Sequence, residues 1–282
     1  VRRITVTFVM VVSITGCGAA AQPSPPPVNP PPGVSVALHQ WRSDEPVHQL
    51  QVAVTNTGDK PVHFADLQLI TPSFETLPPQ RADAIIGRTP RTDLPIKYGA
   101  ARCSPQGLPE LQAATVVAHL STDGGAPRKV VFPVPHPDPL LSRLLRDECA
   151  AYLIKQAATI EFGAEWTRVG KAMRGNLVLT RRGAGTVAVN EVGGTTHYIV
   201  TPDAKSRPLV ELGAAEQRAE LPMELSPGRC DGHAFAEAKK AFLFPVRASV
   251  DGGEERVIIV VPPKPMQDRF LRYAQEVCGL GG

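Results

Sequence analysis

The chain has 282 residues, 43% hydrophobic and 20% charged, enough to bury a sizeable core and an ordinary length for two domains. Twenty-nine prolines and 24 glycines exclude a mostly helical protein, and 5% aromatics is thin for a carbohydrate or single-strand nucleic-acid binder. The formal charge of +3 includes Arg2 and Arg3; without residues 1–16 there are 28 basic against 27 acidic residues, which gives no electrostatic case for nucleic acid.

Val1-Arg2-Arg3 is a short cationic start to an apolar run of eleven residues, Ile4 to Ile14. That is too short for a helix to span ~30 Å of hydrocarbon but suits a signal-peptide core. The run ends in Ile14-Thr15-Gly16-Cys17, which resembles the lipobox of bacterial lipoproteins: an aliphatic residue, two small ones, then a cysteine that receives a diacylglycerol. The resemblance implies a lipoprotein signal peptide over residues 1–16, lipidation of the Cys17 thiolate, and a membrane reached through that lipid. Gln22 to Gly33 holds seven prolines in twelve residues, so residues 17–33 read as a linker after the lipidated cysteine. In polyproline II form at ~3.1 Å per residue it would reach roughly 50 Å.

The remainder reads as one unit written twice. Leu94 to Cys103 lines up with Leu221 to Cys230 at an offset of 127, and the same offset pairs Leu50-Gln51-Val52 with Leu177-Val178-Leu179, Gly58 with Gly185 and Val62 with Val189. Trp41 and Trp166 pair at 125, Asp123-Gly124-Gly125 and Asp251-Gly252-Gly253 at 128, Cys149 and Cys278 at 129. Two homologous domains are therefore expected, 34–157 and 158–282.

Each copy reads mainly as strands. Val34 to Leu38 and Leu50 to Val54 alternate, and Asn56-Thr57-Gly58-Asp59 is a turn cluster before Val62-His63-Phe64. Both Asp-Gly-Gly triplets lie between β-rich runs, a hairpin signal because Asp-Gly tolerates the positive φ of a tight turn. Asp138-Pro139 then caps a helix with Leu140, Leu141, Leu144 and Leu145 on one face, and Pro265 opens another bearing Met266, Phe270 and Tyr273. The expected fold is mainly β: two tandem immunoglobulin-like (Ig-like) β-sandwich domains, each with a short C-terminal helix. The connection near Ala157-Ala158 has no flexible stretch, so the copies should pack rigidly, with the groove between them as a candidate interface.

Beyond Cys17, four cysteines allow three pairings. Duplication selects among them: separately foldable copies should close their own bridges, Cys103–Cys149 and Cys230–Cys278. A metal or redox site is the rival, but there is no Cys-x-x-Cys and no zinc-like histidine spacing.

Chemistry is harder to find. None of the seven histidines forms His-x-x-x-His. Asp231 and His233, beside Cys230, are the weak metal or proton-shuttle candidates. The matching stretch of the first copy, Arg102-Cys103-Ser104-Pro105-Gln106, keeps only the Arg and Cys, which should serve structure through a bridge and a guanidinium bonded to carbonyls or a carboxylate. There is no Gly-x-Ser-x-Gly and no Ser-x-x-Lys of the penicillin-binding type. Arg182-Gly183-Ala184-Gly185 sits at the turn position equivalent to Asn56-Thr57-Gly58.

The body around Arg229-Cys230-Asp231-Gly232-His233-Ala234 resembles actinobacterial-type lipoproteins with paired "R-C-D-x-H-A"-type repeats. The expectation is an extracytoplasmic module anchored to the bacterial cell membrane, non-catalytic and without a cofactor, binding or scaffolding a protein or cell-envelope partner. Metal handling through Asp231 and His233, or an enzyme whose residues converge from distant loops, are the alternatives.

Overall fold

The computed structural model describes residues 28–237 and 240–280; residues 1–16, Cys17 and most of the proline-rich linker lie outside the described residues. The fold is mainly β, built from antiparallel sheets in a sandwich-like arrangement.

In the first half, β1 (Val34–His39), β2 (Gln49–Asn56) and β5 (Thr89–Lys97) form a sheet in the order β1-β2-β5. A second sheet runs β4-β3-β6-β7, from β3 (Val62–Ile70), β4 (Gln80–Ile86), β6 (Thr115–Thr122) and β7 (Arg128–Pro133). Strand alternation sends Leu50, Val52, Phe64, Leu67, Val116 and Phe132 into one apolar cluster. Ahead of β1, Val28 bridges in parallel to Val130, its N–H donating to the Lys129 carbonyl at 2.9 Å, so the chain is pinned to the edge of β7.

Helix α1 (Pro139–Ala157) starts as its sequence dictates: Asp138 accepts from the Leu141 N–H at 2.9 Å and Pro139 occupies the first turn. Leu141, Leu144, Leu145 and Cys149 join the first apolar cluster. The chain then passes straight into β8 (Ala158–Phe162) with no intervening linker.

The second half adds β9 (Thr167–Val169), β10 (Ala172–Arg181), β11 (Val187–Val192), β12 (Tyr198–Pro202), β13 (Val210–Leu212) and β14 (Arg218–Pro227). After these come α2 (Gly232–Glu237), β15 (Phe244–Val250), β16 (Arg256–Val260) and α3 (Lys264–Val277). Its sheets run β12-β14-β10-β8, with β9 on β10, and β13-β11-β15-β16. Substituting β8, β10, β11, β13, β14, β15 and β16 for β1 to β7 in turn reproduces the first half's strand order, with β9 and β12 as additions.

The likeness extends to irregularities. Both Asp-Gly turns hold two successive residues at positive φ, Asp123 (54°) and Gly124 (71°), then Asp251 (51°) and Gly252 (65°). A register shift interrupts β3 between Phe64 and Asp66 and β11 between Val189 and Glu191. The carboxylate after each shift pairs across the strand, Asp66 with His119 at 2.8 Å and Glu191 with Arg247 at 3.4 Å.

Register also corrects the sequence alignment. Opposite Leu94 and Ile96 of β5 stand Val52 and Leu50; opposite the matching Leu221 and Met223 of β14 stand Leu177 and Gly175. Val62 and Val187 likewise occupy matching places opposite Thr122 and Val250. The offset over these strands is thus 125, and Gly175 takes the place of Leu50. An added Cβ on Gly175 would stand 2.3 Å from the Trp166 ring, so this glycine makes room for the indole. Trp166 is 1% exposed, whereas Trp41, with Leu50 in that space, is 53% exposed and donates its ring N–H to Asp93.

The expectation of one short closing helix per half requires correction. α1 serves both halves: its last turns carry Ile154 and Ala157 into the second apolar cluster, beside Phe162, Leu177, Phe244 and Phe270. The helix runs eight residues past Cys149, whereas α3 ends at the residue before Cys278. α2 is a further helix with no counterpart in the first half.

Candidate functional site

The four cysteines described form the bridges Cys103–Cys149 and Cys230–Cys278, each closing within its own half. Both point to folding in an oxidising, extracytoplasmic compartment. Among the described residues no helix is long and apolar enough to cross a membrane. The two arginines beside the bridges do structural work: Arg102 donates its Nε–H to the Phe74 carbonyl at 3.2 Å, and Arg229 pairs with Asp231 at 3.2 Å. Arg182 to Gly185 lie in the turn between β10 and β11, where Arg181 donates to the Glu216, Gly183 and Gly185 carbonyls at 2.5, 2.8 and 2.7 Å.

Asp231 precedes α2 and His233 is exposed within it. Among the described residues no three His, Cys, Asp or Glu side chains gather as a metal would require, so these two acquire no third donor. Cys17 lies outside the described residues.

A concave feature lies elsewhere, at the junction of the halves. A cleft of about 520 Å³ runs along one face of α1, with residues of the β1–β2 connection on one side and β16 on the other. Helical spacing explains the floor: Arg143, Asp147, Ala151 and Lys155 recur every four residues, with Leu144, Glu148 and Tyr152 beside them. That stripe is ~18 Å long at 1.5 Å per residue. Val257 and Ile259 project into the cleft because strand alternation sends Ile258 and Val260 into the core.

Polar and apolar side chains share the lining. His48 sits in the left-handed backbone region (φ 50°, ψ 50°) and stacks on Tyr98 with centroids 5.1 Å apart. Its Nδ1 lies 3.9 Å from Glu148 Oε1. The other carboxylate oxygen, Oε2, accepts the Ala101 N–H at 2.8 Å, while Oε1 is buried with no hydrogen-bond partner. Burial, then the Glu148 carboxylate, pushes the Tyr98 phenol above its ordinary range. Burial likewise raises Asp147, against the pull of Arg143 and Arg146. Arg143 donates to Gln40 Oε1 at 2.7 Å and lies 3.5 Å from Asp147. Lys240 closes the rim by pairing with Glu45 at 2.5 Å, tying the second half to the first.

A cleft thus lies between the halves, and its polar residues were not singled out by the sequence. Residues 48, 98, 148 and 259 are far apart in the chain and match no spacing motif; the one available signal was the α1 stripe, read there only as a leucine face.

No protein-family description matches this chain, and no curated protein does. Among solved structures it is similar to a red sea bream transglutaminase at 12% identity, covering 82% of this chain and 31% of that one, with a TM-score of 0.25. An exo-chitosanase of Amycolatopsis orientalis matches at 13% identity over 82% of this chain and 26% of its own, with a TM-score of 0.19. The chain spans less than a third of either, and likeness at this level carries no argument about activity.

Proposed function

We propose that this chain is a bacterial lipoprotein of the extracytoplasmic face, anchored to the cell membrane through lipidated Cys17, whose two Ig-like domains, 34–157 and 158–282, act as a non-catalytic binding or scaffolding module. The orders β1-β2-β5 and β4-β3-β6-β7, and their repetition in the second half, support the Ig-like reading, since they match strands A-B-E facing C′-C-F-G. The bridges support residence outside the cytosol. The observation that carries the binding role is the cleft that only the joined halves create, with polar and apolar lining in a volume suited to a small ligand or a partner's side chains.

The anchoring half of the reading is tested with Cys17→Ala in cells: the variant should leave the membrane fraction, and its retention there would overturn lipid anchoring. Crosslinking from intact cells should capture a protein or envelope partner through the body; an uncrosslinked body would count against scaffolding.

A second reading, water-based hydrolysis in the same cleft, has one observation in its favour. The Glu148 carboxylate lies 3.9 Å from the His48 imidazole, and among the described residues of the lining there is no Ser or Cys, so the reading takes water as the nucleophile. Turnover of an activated ester that falls at least ten-fold in His48→Ala would support this reading, and equal background rates would end it.

A further inference from the structure

We propose that the Cys230–Cys278 bridge is a thiol-exchange site, opened in the folded protein by an external dithiol that attacks Cys230, while Cys103–Cys149 is a permanent tie. The two bonds differ in what surrounds their sulfurs. Cys230 is exposed in the segment between β14 and α2, and Cys278, the residue after α3, is half-buried. Cys149 is fully buried midway along α1, and Cys103 packs against the first apolar cluster. Exchange needs an incoming thiolate to reach one sulfur and the other sulfur to leave as a thiolate, and exposed bridges are the reactive ones. Attack on Cys103 would expel Cys149 as an anion into an apolar core that does not solvate it. Attack on Cys149 would require α1 to leave the core that holds Leu141, Leu144 and Leu145.

Both ends of the exposed bridge keep their seats without it. β14 is paired with β10 and β12, and α3 buries Met266, Phe270, Tyr273 and Ala274. The Tyr273 hydroxyl lies 2.7 and 3.1 Å from the Lys171 and Leu225 carbonyl oxygens. The step is therefore local. The incoming thiolate bonds to Cys230 Sγ, the Sγ–Sγ bond breaks, and its electron pair leaves on Cys278 Sγ, which takes a proton from water. The second sulfur of the dithiol then displaces Cys230, so the reductant closes to a disulfide and the protein gains both electrons. Helix α2, which follows Cys230 and lays Phe235 on the His197 ring with centroids 4.4 Å apart, is thereby released from the end of α3.

The test treats the folded full-length chain, carrying Cys17→Ala so that no other thiol competes, with dithiothreitol at neutral pH, followed by alkylation and peptide mapping over time. Cys230 and Cys278 should become alkylated at least about ten-fold faster than Cys103 and Cys149. Glutathione, a monothiol, should be trapped early in the reaction on Cys230, with Cys278 as the free thiol. In the opened form, hydrogen exchange should rise over residues 228–237 while Met266 to Ala274 keep their protection. Equal rates for the two bridges, the reverse order, no reduction short of unfolding, glutathione on Cys278, or lost protection along α3 would each overturn the inference.

Discussion

Gly175 and Trp166 are two halves of one packing solution. The indole lies where a side chain at 175 would project, and its Nε1–H finds the Gly163 carbonyl at 3.0 Å. Gly175→Ala should therefore cost about 1–3 kcal/mol, since its methyl must displace a ring hemmed in by Phe162 and Phe270. Urea unfolding followed by tryptophan fluorescence measures this, and an unchanged midpoint would contradict the packing account. The sequence makes the two tryptophans counterparts but not their opposite fates, because burial depends on which residue of β2 or β10 faces inward beneath them. That is a register property, and a two-residue drift in the alignment conceals it. The Glu148–His48–Tyr98 group was hidden for a similar reason: its members meet only after α1 docks.

At the scale of the element, α1 decides how the halves relate. Its first three turns fill the first core and its last two enter the second, so one rigid helix belongs to both. Ile154, fully buried in the second cluster, is the sharpest probe. Ile154→Ala should destabilise by about 2–5 kcal/mol. It should also protect the second half less than the first in hydrogen exchange, whereas equal loss across both would argue that the halves unfold as one unit. Much at this scale was legible in the sequence. The Asp138 cap, both Asp-Gly hairpins and the α3 face formed by Met266, Phe270 and Tyr273 follow from local chemistry. The sharing of α1 was not legible, since Ile154 and Ala157 continue the same apolar periodicity as Leu141 and nothing local marks the change of partner. The additions β9, β12 and α2 were missed because a repeat argument transfers only what both copies contain.

For the whole molecule, two bridges of separation 46 and 48 tie the middle of α1 and the residue after α3 to the segments that follow β5 and β14. In the chain-entropy account each adds about 4 kcal/mol by restricting the unfolded chain, a substantial aid to halves of this size. Their positions differ in effect. Cys149 lies midway along a helix that continues, so its bridge fixes the spine of the junction, while Cys278 follows the end of α3 and fixes a terminus.

Val28 sets a different kind of limit. Its bond to Lys129 holds the chain against β7 well before β1 begins. If Cys17 carries lipid, the span from anchor to body is the eleven residues before Val28, ~34 Å in polyproline II form rather than ~50 Å. Val28 lies near Gly125, so such an anchor would keep the Asp123-Gly124 hairpin within reach of the bilayer.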